Sequence, residues 1–206
     1  MKSYKKFTAF RENFSFSMPE LTKEGDNIYF FGELVEDSEK KYAEGEKFIN
    51  AGYNFKLSCA RVLSNLYPME FKFRGKKVES IEGVLQGIKY KDKKTQNKVL
   101  RYSGIDAYHT RACNELDFWA KDMLLYWQGK AIKRDSKEYQ DFLDELYISA
   151  AANPLYRRAL IATGEKYLLH HIGKDQICET VLTRFEYESR LNALREFIKQ
   201  NYKIKR

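Results

Sequence analysis

No apolar run in the 206-residue sequence approaches the length that crosses a bilayer, which argues against a membrane-embedded protein. The Met1 end carries Lys2, Lys5 and Lys6 but no apolar signal-peptide core, so cytoplasmic residence is expected. Cysteine is sparse: Cys59, Cys113 and Cys178 are scattered, odd in number and without Cys-x-x-Cys spacing, against both a disulfide framework and a zinc ribbon. His109, His170 and His171 form no HxxxH or HExxH pair, so no metal site is expected, and no other cofactor either. Phosphate loops of the GxGxxG or GxxxxGK type, internal repeats and low-complexity linkers are also missing.

What the chain does have is ordinary for a globular protein: 43% hydrophobic and 32% charged residues, with aromatics spread evenly along its length. One domain over 1–206 is therefore expected, since this length supports one sizeable core. Lys and Arg number 37 against 29 Asp and Glu, a formal charge of +8 that favours approach of nucleic acid or small phosphates without identifying which. Positive charge gathers at 89–101, at 130–134 and in the tail 199–206, whereas 33–46 is acidic.

In order along the chain, residues 1–20 interleave Phe7, Phe10, Phe14 and Phe16 with polar neighbours and predict docked extended chain. Asn27 to Phe31 predicts a strand, Ser38 to Asn50 an exposed helix closed by Gly52, and Tyr53 to Leu57 another strand. Phe71-Lys72-Phe73 alternates as a strand up to a turn at Arg74-Gly75. Leu116, Trp119, Ala120, Met123, Leu124 and Trp127 keep helical spacing and predict one long helix over 105–127. A second is predicted over 136–152 behind Ser136, a short one from Leu155 to Thr163 stopped by Gly164, and a last one over 186–199 on Tyr187, Leu191, Leu194 and Ile198. A strand is expected from Lys166 to His171. The fold class is α+β, mainly helical, with a small sheet contributed largely by the N-terminal half.

The most informative stretch runs from Ser80 to about Tyr90. At 100° per residue, Ile81, Val84, Leu85 and Ile88 share an apolar face, while Glu82, Gln86 and Lys89 fall on a separate arc roughly 60° wide. A carboxylate, an amide and an amine thus line one edge of an anchored helix; the bland alternative is a solvated stripe. Gly83 and Gly87 each cost about 1 kcal/mol of helix propensity, which calls for a reason such as close backbone or ligand approach.

Leu63-Ser64-Asn65-Leu66-Tyr67-Pro68, then Ser80-Ile81-Glu82 with Gln86 and Lys89, then Asn153-Pro154 and Ala159 to Glu165, in this order and spacing, resemble the NADAR (YbiA-like) family over roughly 53–198. The resemblance implies an α+β core at 53–198, with 1–52 as an N-terminal extension packed on it and 199–206 as a basic tail. It implies an activity on N-glycosidic bonds of ribosyl nucleotides, either a riboflavin-pathway intermediate or ADP-ribose attached to guanine. By the same resemblance the helix carboxylate is Glu82 and its lysine Lys89, both catalytic. Asn65, Tyr67, Gln86 and Asp175 would bind substrate, and Thr163-Gly164 would be structural. Partners implied are an ADP-ribose-type nucleotide and, for the guanine-directed members, ADP-ribosylated nucleic acid. Three features depart from the family: Asp175-Gln176-Ile177-Cys178 lacks the usual Trp-Gly, Phe185 and Glu188 replace an asparagine and a glycine, and Gly83 replaces an aromatic or histidine.

Cleaving a ribosyl C–N bond passes through an oxocarbenium-like transition state, which needs a carboxylate near the anomeric carbon and help for the leaving base. Glu82 can supply that charge or position water. Lys89, if partly neutral, attacks C1 of the opened sugar to form a Schiff base, as the resemblance implies; if charged, it binds a diphosphate. Gln86 can orient either one. A non-catalytic module for an NAD-derived nucleotide is the alternative, and a nucleic-acid-binding protein, lacking any reader motif, the third.

Overall fold

The computed structural model describes residues 3–14, 48–54, 58–110, 118–170 and 172–201. Its elements run α1 (Ser3–Asn13), β1 (Phe48–Asn50), α2 (Ser58–Leu63), β2 (Phe71–Phe73), β3 (Lys76–Val78), α3 (Ile81–Gly87), α4 (Lys93–Val99), α5 (Gly104–His109) and α6 (Phe118–Asp122). They continue with β4 (Leu124–Trp127), β5 (Lys130–Lys133), α7 (Lys137–Ala150), α8 (Pro154–Ala162), β6 (Tyr167–Leu169) and α9 (Arg184–Asn201). The class is α+β, as expected. Among the described residues the strands form three two-stranded sheets, a parallel β1–β6 pair and antiparallel β2–β3 and β4–β5 hairpins, so both halves of the chain supply strands.

Both hairpins turn on two residues of positive φ, Arg74 (46°) with Gly75 (77°) and Gln128 (50°) with Gly129 (84°). That pair of conformations matches the right-handed twist of the flanking strands, and glycine takes the second position without strain. The β2–β3 hairpin lies where alternation placed a strand and turn. The helix expected over 105–127 is broken among the described residues: α5 ends at His109, and after the short α6 the chain reverses at Met123 (φ 51°) and enters β4 with alternating burial. Leu124 to Trp127 suit a pleated, half-buried surface, and pairing Leu125 with Ile132 overrides the helical period. Residues 111–117 of that expected helix lie outside the described residues.

Of the extended chain expected over 1–20, the described part, 3–14, is almost all helix. Ser3–Asn13 is helical because Phe7, Phe10 and Phe14 recur at i, i+3 and i+7, which puts them on one side. Phe7 is fully buried, and it and Phe10 each meet the Phe197 ring edge-on at 5.6 Å. Of the helix expected from Ser38 to Asn50, residues 38–47 lie outside the described residues and Phe48 to Asn50 is strand, paired with Tyr167 to Leu169 and burying Ile49 and Asn50. Tyr53 and Asn54 are turn rather than strand, and the strand expected at Asn27 to Phe31 lies outside the described residues.

Later boundaries follow local chemistry. Ser136 Oγ accepts the Tyr139 N–H to cap α7, and Asn153 Oδ1 accepts the Leu155 N–H to cap α8 ahead of Pro154. Gly164, at φ 62°, ends α8. The core joins Phe73, Trp127 and Phe142 in edge-to-face contacts at 5.0, 5.0 and 5.6 Å, and Leu63, Leu143, Leu146, Leu160 and Leu194 are fully buried. Helix α9 forms where the last helix was expected over 186–199, and it is buried on more than its apolar side. Its polar residues Glu186, Glu188, Arg190, Asn192 and Arg195 are buried too, because α1, α7, α8 and β6 cover it on several sides.

Candidate functional site

Helix α3 begins at Ser80, whose Oγ accepts the Gly83 N–H at 2.9 Å and donates to the Tyr102 carbonyl at 3.3 Å. A Cβ on Gly83 would stand 3.2 Å from the Val99 carbonyl oxygen, so the glycine lets α3 press against the end of α4. Every residue from Ile81 to Gly87 is buried, Glu82 at 9% and Gln86 at 4% exposure. The polar edge of this helix is therefore no solvated stripe. It is covered by the 64–67 turn, by α5 and by the chain after β6, which close over a cavity of about 680 Å³.

The 64–67 turn is bonded to the helix it faces. The Glu82 N–H donates to the Asn65 carbonyl at 3.0 Å, and Asn65 Oδ1 accepts the Tyr147 hydroxyl proton at 2.9 Å from α7. Gly104, at the start of α5, holds the turn from outside: a Cβ there would lie 2.1 Å from the Leu66 carbonyl oxygen. Gln86 Nε2 donates to Glu82 Oε1 at 2.7 Å, which fixes the amide orientation because a carboxylate accepts only. Gln86 Oε1 then points away from that bond, buried and without a hydrogen-bond partner. An orphaned buried acceptor costs about 1–3 kcal/mol, so a ligand that brings a donor to it recovers free energy.

Lys89 follows one turn after Gln86 and also lines the cavity. Its turn is held by Gln96, fully buried, whose Nε2 donates to the Gly87 carbonyl at 3.0 Å and the Tyr126 carbonyl at 2.7 Å. Gln96 Oε1 accepts the N–H and the side-chain Nε2 of Gln128, both at 2.8 Å. The end of α3, α4 and the β4–β5 turn are thereby locked together.

Four of the six residues expected at the site, Asn65, Glu82, Gln86 and Lys89, line one cavity. Tyr67 and Asp175 are not among its lining residues. Tyr67 packs on the hydrophobic core, and Asp175 pairs at 3.1 and 3.3 Å with Arg184, which does line the cavity. The wall opposite α3 comes from 170–187, which the sequence reading did not assign: His170, Lys174, Glu179, Thr183, Arg184 and Tyr187. It is clipped shut by the Arg184 N–H donating to the Lys174 carbonyl at 2.8 Å. Tyr53, Tyr108, Trp119 and Tyr187 add aromatic surface. Three cations, Lys89, Lys174 and Arg184, face two carboxylates, Glu82 and Glu179, an arrangement suited to an anion with a neutral polar body.

His170 sits where this wall meets β1. Its Nδ1 lies 2.7 Å from the Ala51 carbonyl, its backbone N–H donates to Glu188 Oε1 at 2.8 Å, and its ring meets Tyr187 edge-on at 5.2 Å. Burial, helped by the charge of Arg184, lowers its pKa against the opposing pull of the Ala51 carbonyl. Glu188 is moved the other way, burial raising it despite the His170 N–H and Arg184. Among the described residues, no group of His, Cys, Asp and Glu is placed to hold a metal ion, and no helix is long and apolar enough to cross a membrane.

Residues 57–196 match the family described as bacteriophage protein GP30.3. The uncharacterized 17.1 kDa protein in the Gp30-rIII intergenic region of Enterobacteria phage T4 is 33% identical over 145 residues, covering 68% of this chain and 90% of that protein. Among solved structures, the NMR structure of the E. coli protein YbiA matches with a TM-score of 0.47 and 16% identity, over 77% of this chain and 90% of that one.

Proposed function

Taking as premise that the chain belongs to the bacteriophage protein GP30.3 family, we propose that it is an N-glycosidase that hydrolyses the bond between a base and the ribose of ADP-ribose or a related ribosyl phosphate. ADP-ribosylated guanine is one such substrate. The observation that carries this reading is the buried Glu82–Gln86 pair: a carboxylate held by an amide whose free acceptor faces no protein donor, in a cavity lined by three cations. The resemblance of the 63–68, 80–89 and 153–165 segments to the NADAR family supports it independently of the cavity.

In this reading Glu82 offsets the positive charge that develops on the ribose ring as the C–N bond breaks. Gln86 Oε1 accepts a hydrogen bond from a sugar hydroxyl, and Lys174 and Arg184 meet phosphate oxygens. Lys89 acts either as nucleophile on the opened sugar or as a further phosphate ligand. Asn65 shapes the sugar side of the cavity, with Tyr67 bracing its turn from the core. Asp175 keeps Arg184 extended along the wall. A site whose hydrogen-bond acceptors are pre-set for the transition state needs no reorganisation at the moment of reaction.

The test is incubation of the full chain with ADP-ribosylated guanosine and with ADP-ribosylated nucleic acid, followed by mass spectrometry for free ADP-ribose. Release that depends on Glu82 and Lys89 supports the reading. Tight binding of ADP-ribose without release from any ribosylated base replaces it with a binding module, which the changed 175–188 segment makes the alternative to beat.

A further inference from the structure

A second titratable group faces the same cavity, and its protonation pattern is written into its hydrogen bonds. A carbonyl oxygen only accepts, so the 2.7 Å contact between His170 Nδ1 and the Ala51 carbonyl requires the proton to be on Nδ1. In the neutral ring the lone pair is then on Nε2, which meets no hydrogen-bond partner among the described residues. The ring cannot easily turn to hide it: Tyr187 packs edge-on at 5.2 Å, and the Tyr187 hydroxyl is itself anchored on the Leu63 carbonyl at 2.7 Å. The backbone is pinned as well, through the His170 N–H on Glu188 Oε1. A basic nitrogen is thus held in one tautomer and one orientation at the wall of a cavity whose other side carries Glu82.

We propose that His170 is a catalytic base of this cavity, its Nε2 taking the proton of the water that attacks the anomeric carbon. The inference rests on the N-glycosidase reading. The C1′–N bond breaks and its electron pair stays on the base nitrogen. The water oxygen bonds to C1′, its proton passes to Nε2, and the imidazolium returns that proton to the departed base or to solvent. One water is added and nothing is oxidised or reduced. Glu82, relieved of proton transfer, serves as the charge that offsets the oxocarbenium ion. This division of labour explains why a carboxylate already bonded to Gln86 shares its cavity with an imidazole braced on two sides. The charged groups around the ring fit the role: Arg184 discourages a second positive charge, Glu188 is occupied by the backbone N–H and by the Tyr167 hydroxyl at 3.2 Å, and burial keeps the ring neutral near pH 7.

His170→Asn keeps an N–H donor for Ala51 while removing the base, which makes it the informative variant. With ADP-ribosylated guanosine as substrate, kcat should fall about 100-fold or more while KM changes by less than about threefold, the signature of a group used only in the transition state. The wild-type kcat profile should lose activity on the acid side below the ordinary histidine pKa of 6.5, and the variant should lack that limb. Unchanged kcat with an unchanged acid limb overturns the inference. If the variant does not fold, 15N NMR of the wild-type ring decides: a neutral Nδ1–H tautomer at pH 7 upholds it, and an imidazolium or an Nε2–H tautomer overturns it. Wild type that releases no ADP-ribose overturns the N-glycosidase reading itself, an outcome distinct from an active wild type with an indifferent His170.

Discussion

Helix α9 divides two polar regions that are built from the same residue types and finished differently. On one side, Arg134 is fully buried and grips Glu186 with both Nη atoms at 2.8 and 2.6 Å, while Gln140 and the Thr183 N–H fill the remaining acceptor positions at 2.7 Å each. Arg190 continues this cluster to Gln140, its Nε standing 2.9 Å from Asp144 as an ion pair without hydrogen-bond alignment, and Asp144 also takes Arg11 at 2.7 and 3.0 Å. On the cavity side, Gln86 Oε1 has no such partner, and among the described residues the His170 ring is hydrogen-bonded through Nδ1 alone. Buried carboxylates whose oxygens are all taken by donors hold a fold, and an acceptor left open at a cavity wall is where a ligand completes the set. Burial alone does not tell them apart; the count of filled acceptors does.

The contrast is sharpest where the filled Glu186 carboxylate loses its main partner. Arg134→Met leaves the Glu186 carboxylate, whose pKa Arg134 holds low against burial, without its countercharge, and should cost about 3–5 kcal/mol in denaturant unfolding. Affinity for ADP-ribose should stay within about twofold while the variant remains folded. A cost under about 1 kcal/mol would erase the distinction between the two regions.

On the other side the expected losses are functional. Glu82→Gln and Lys89→Ala should each lower N-glycosidase turnover at least about 100-fold, read as released ADP-ribose, with far smaller stability changes than Arg134→Met. Gln86→Leu removes the open acceptor and should weaken ADP-ribose binding about tenfold by calorimetry, the worth of one hydrogen bond. A variant that binds as wild type does would mean that the open valence is not where the ligand docks.

The pH dependence has opposite signs around His170. Its folded pKa lies below 6.5, so the stability it contributes is complete above pH 6.5 and is lost as pH falls toward that lower value. Glu188, raised above 4.5, contributes below 4.5 and loses that contribution as pH rises through its folded value. Thermal melts should therefore show a fall in Tm just below pH 6.5 that His170→Asn removes. The smallest effect belongs to the exposed Arg184–Asp175 pair: Asp175→Asn should change stability by less than about 1 kcal/mol, with a shift that vanishes in high salt.

Sequence carried the parts of this molecule that are set locally. Ser136, Asn153-Pro154 and Gly164 mark helix ends through side-chain caps or positive φ, and Phe71 to Val78 announces a hairpin by alternation and a glycine turn. The shared edge of Glu82, Gln86 and Lys89 follows from helix geometry. That this edge is buried does not, because the covering pieces, the 64–67 turn and α5, arrive by tertiary packing. Leu124 to Trp127 fit two periods equally well, and the partner strand decided between them. The 170–187 wall had no local signal at all: His170 is placed by a carbonyl 119 residues away, and Arg184 by closure onto Lys174. What could have drawn attention to His170 was its chemistry alone, a histidine ending an apolar strand of Tyr167 to Leu169.

The shared carboxylate of Asp144 sets an order of events during synthesis. Arg11 leaves the ribosome 133 residues before its partner, a wait of roughly 7–27 s at about 5–20 residues per second. Throughout that interval α1 has neither Asp144 nor Phe197 to rest on. The Phe7 ring, sealed in the finished protein, and the half-buried Phe10 beside it stay open to chaperones and proteases until the last helix emerges, so the first helix made is among the last to be secured.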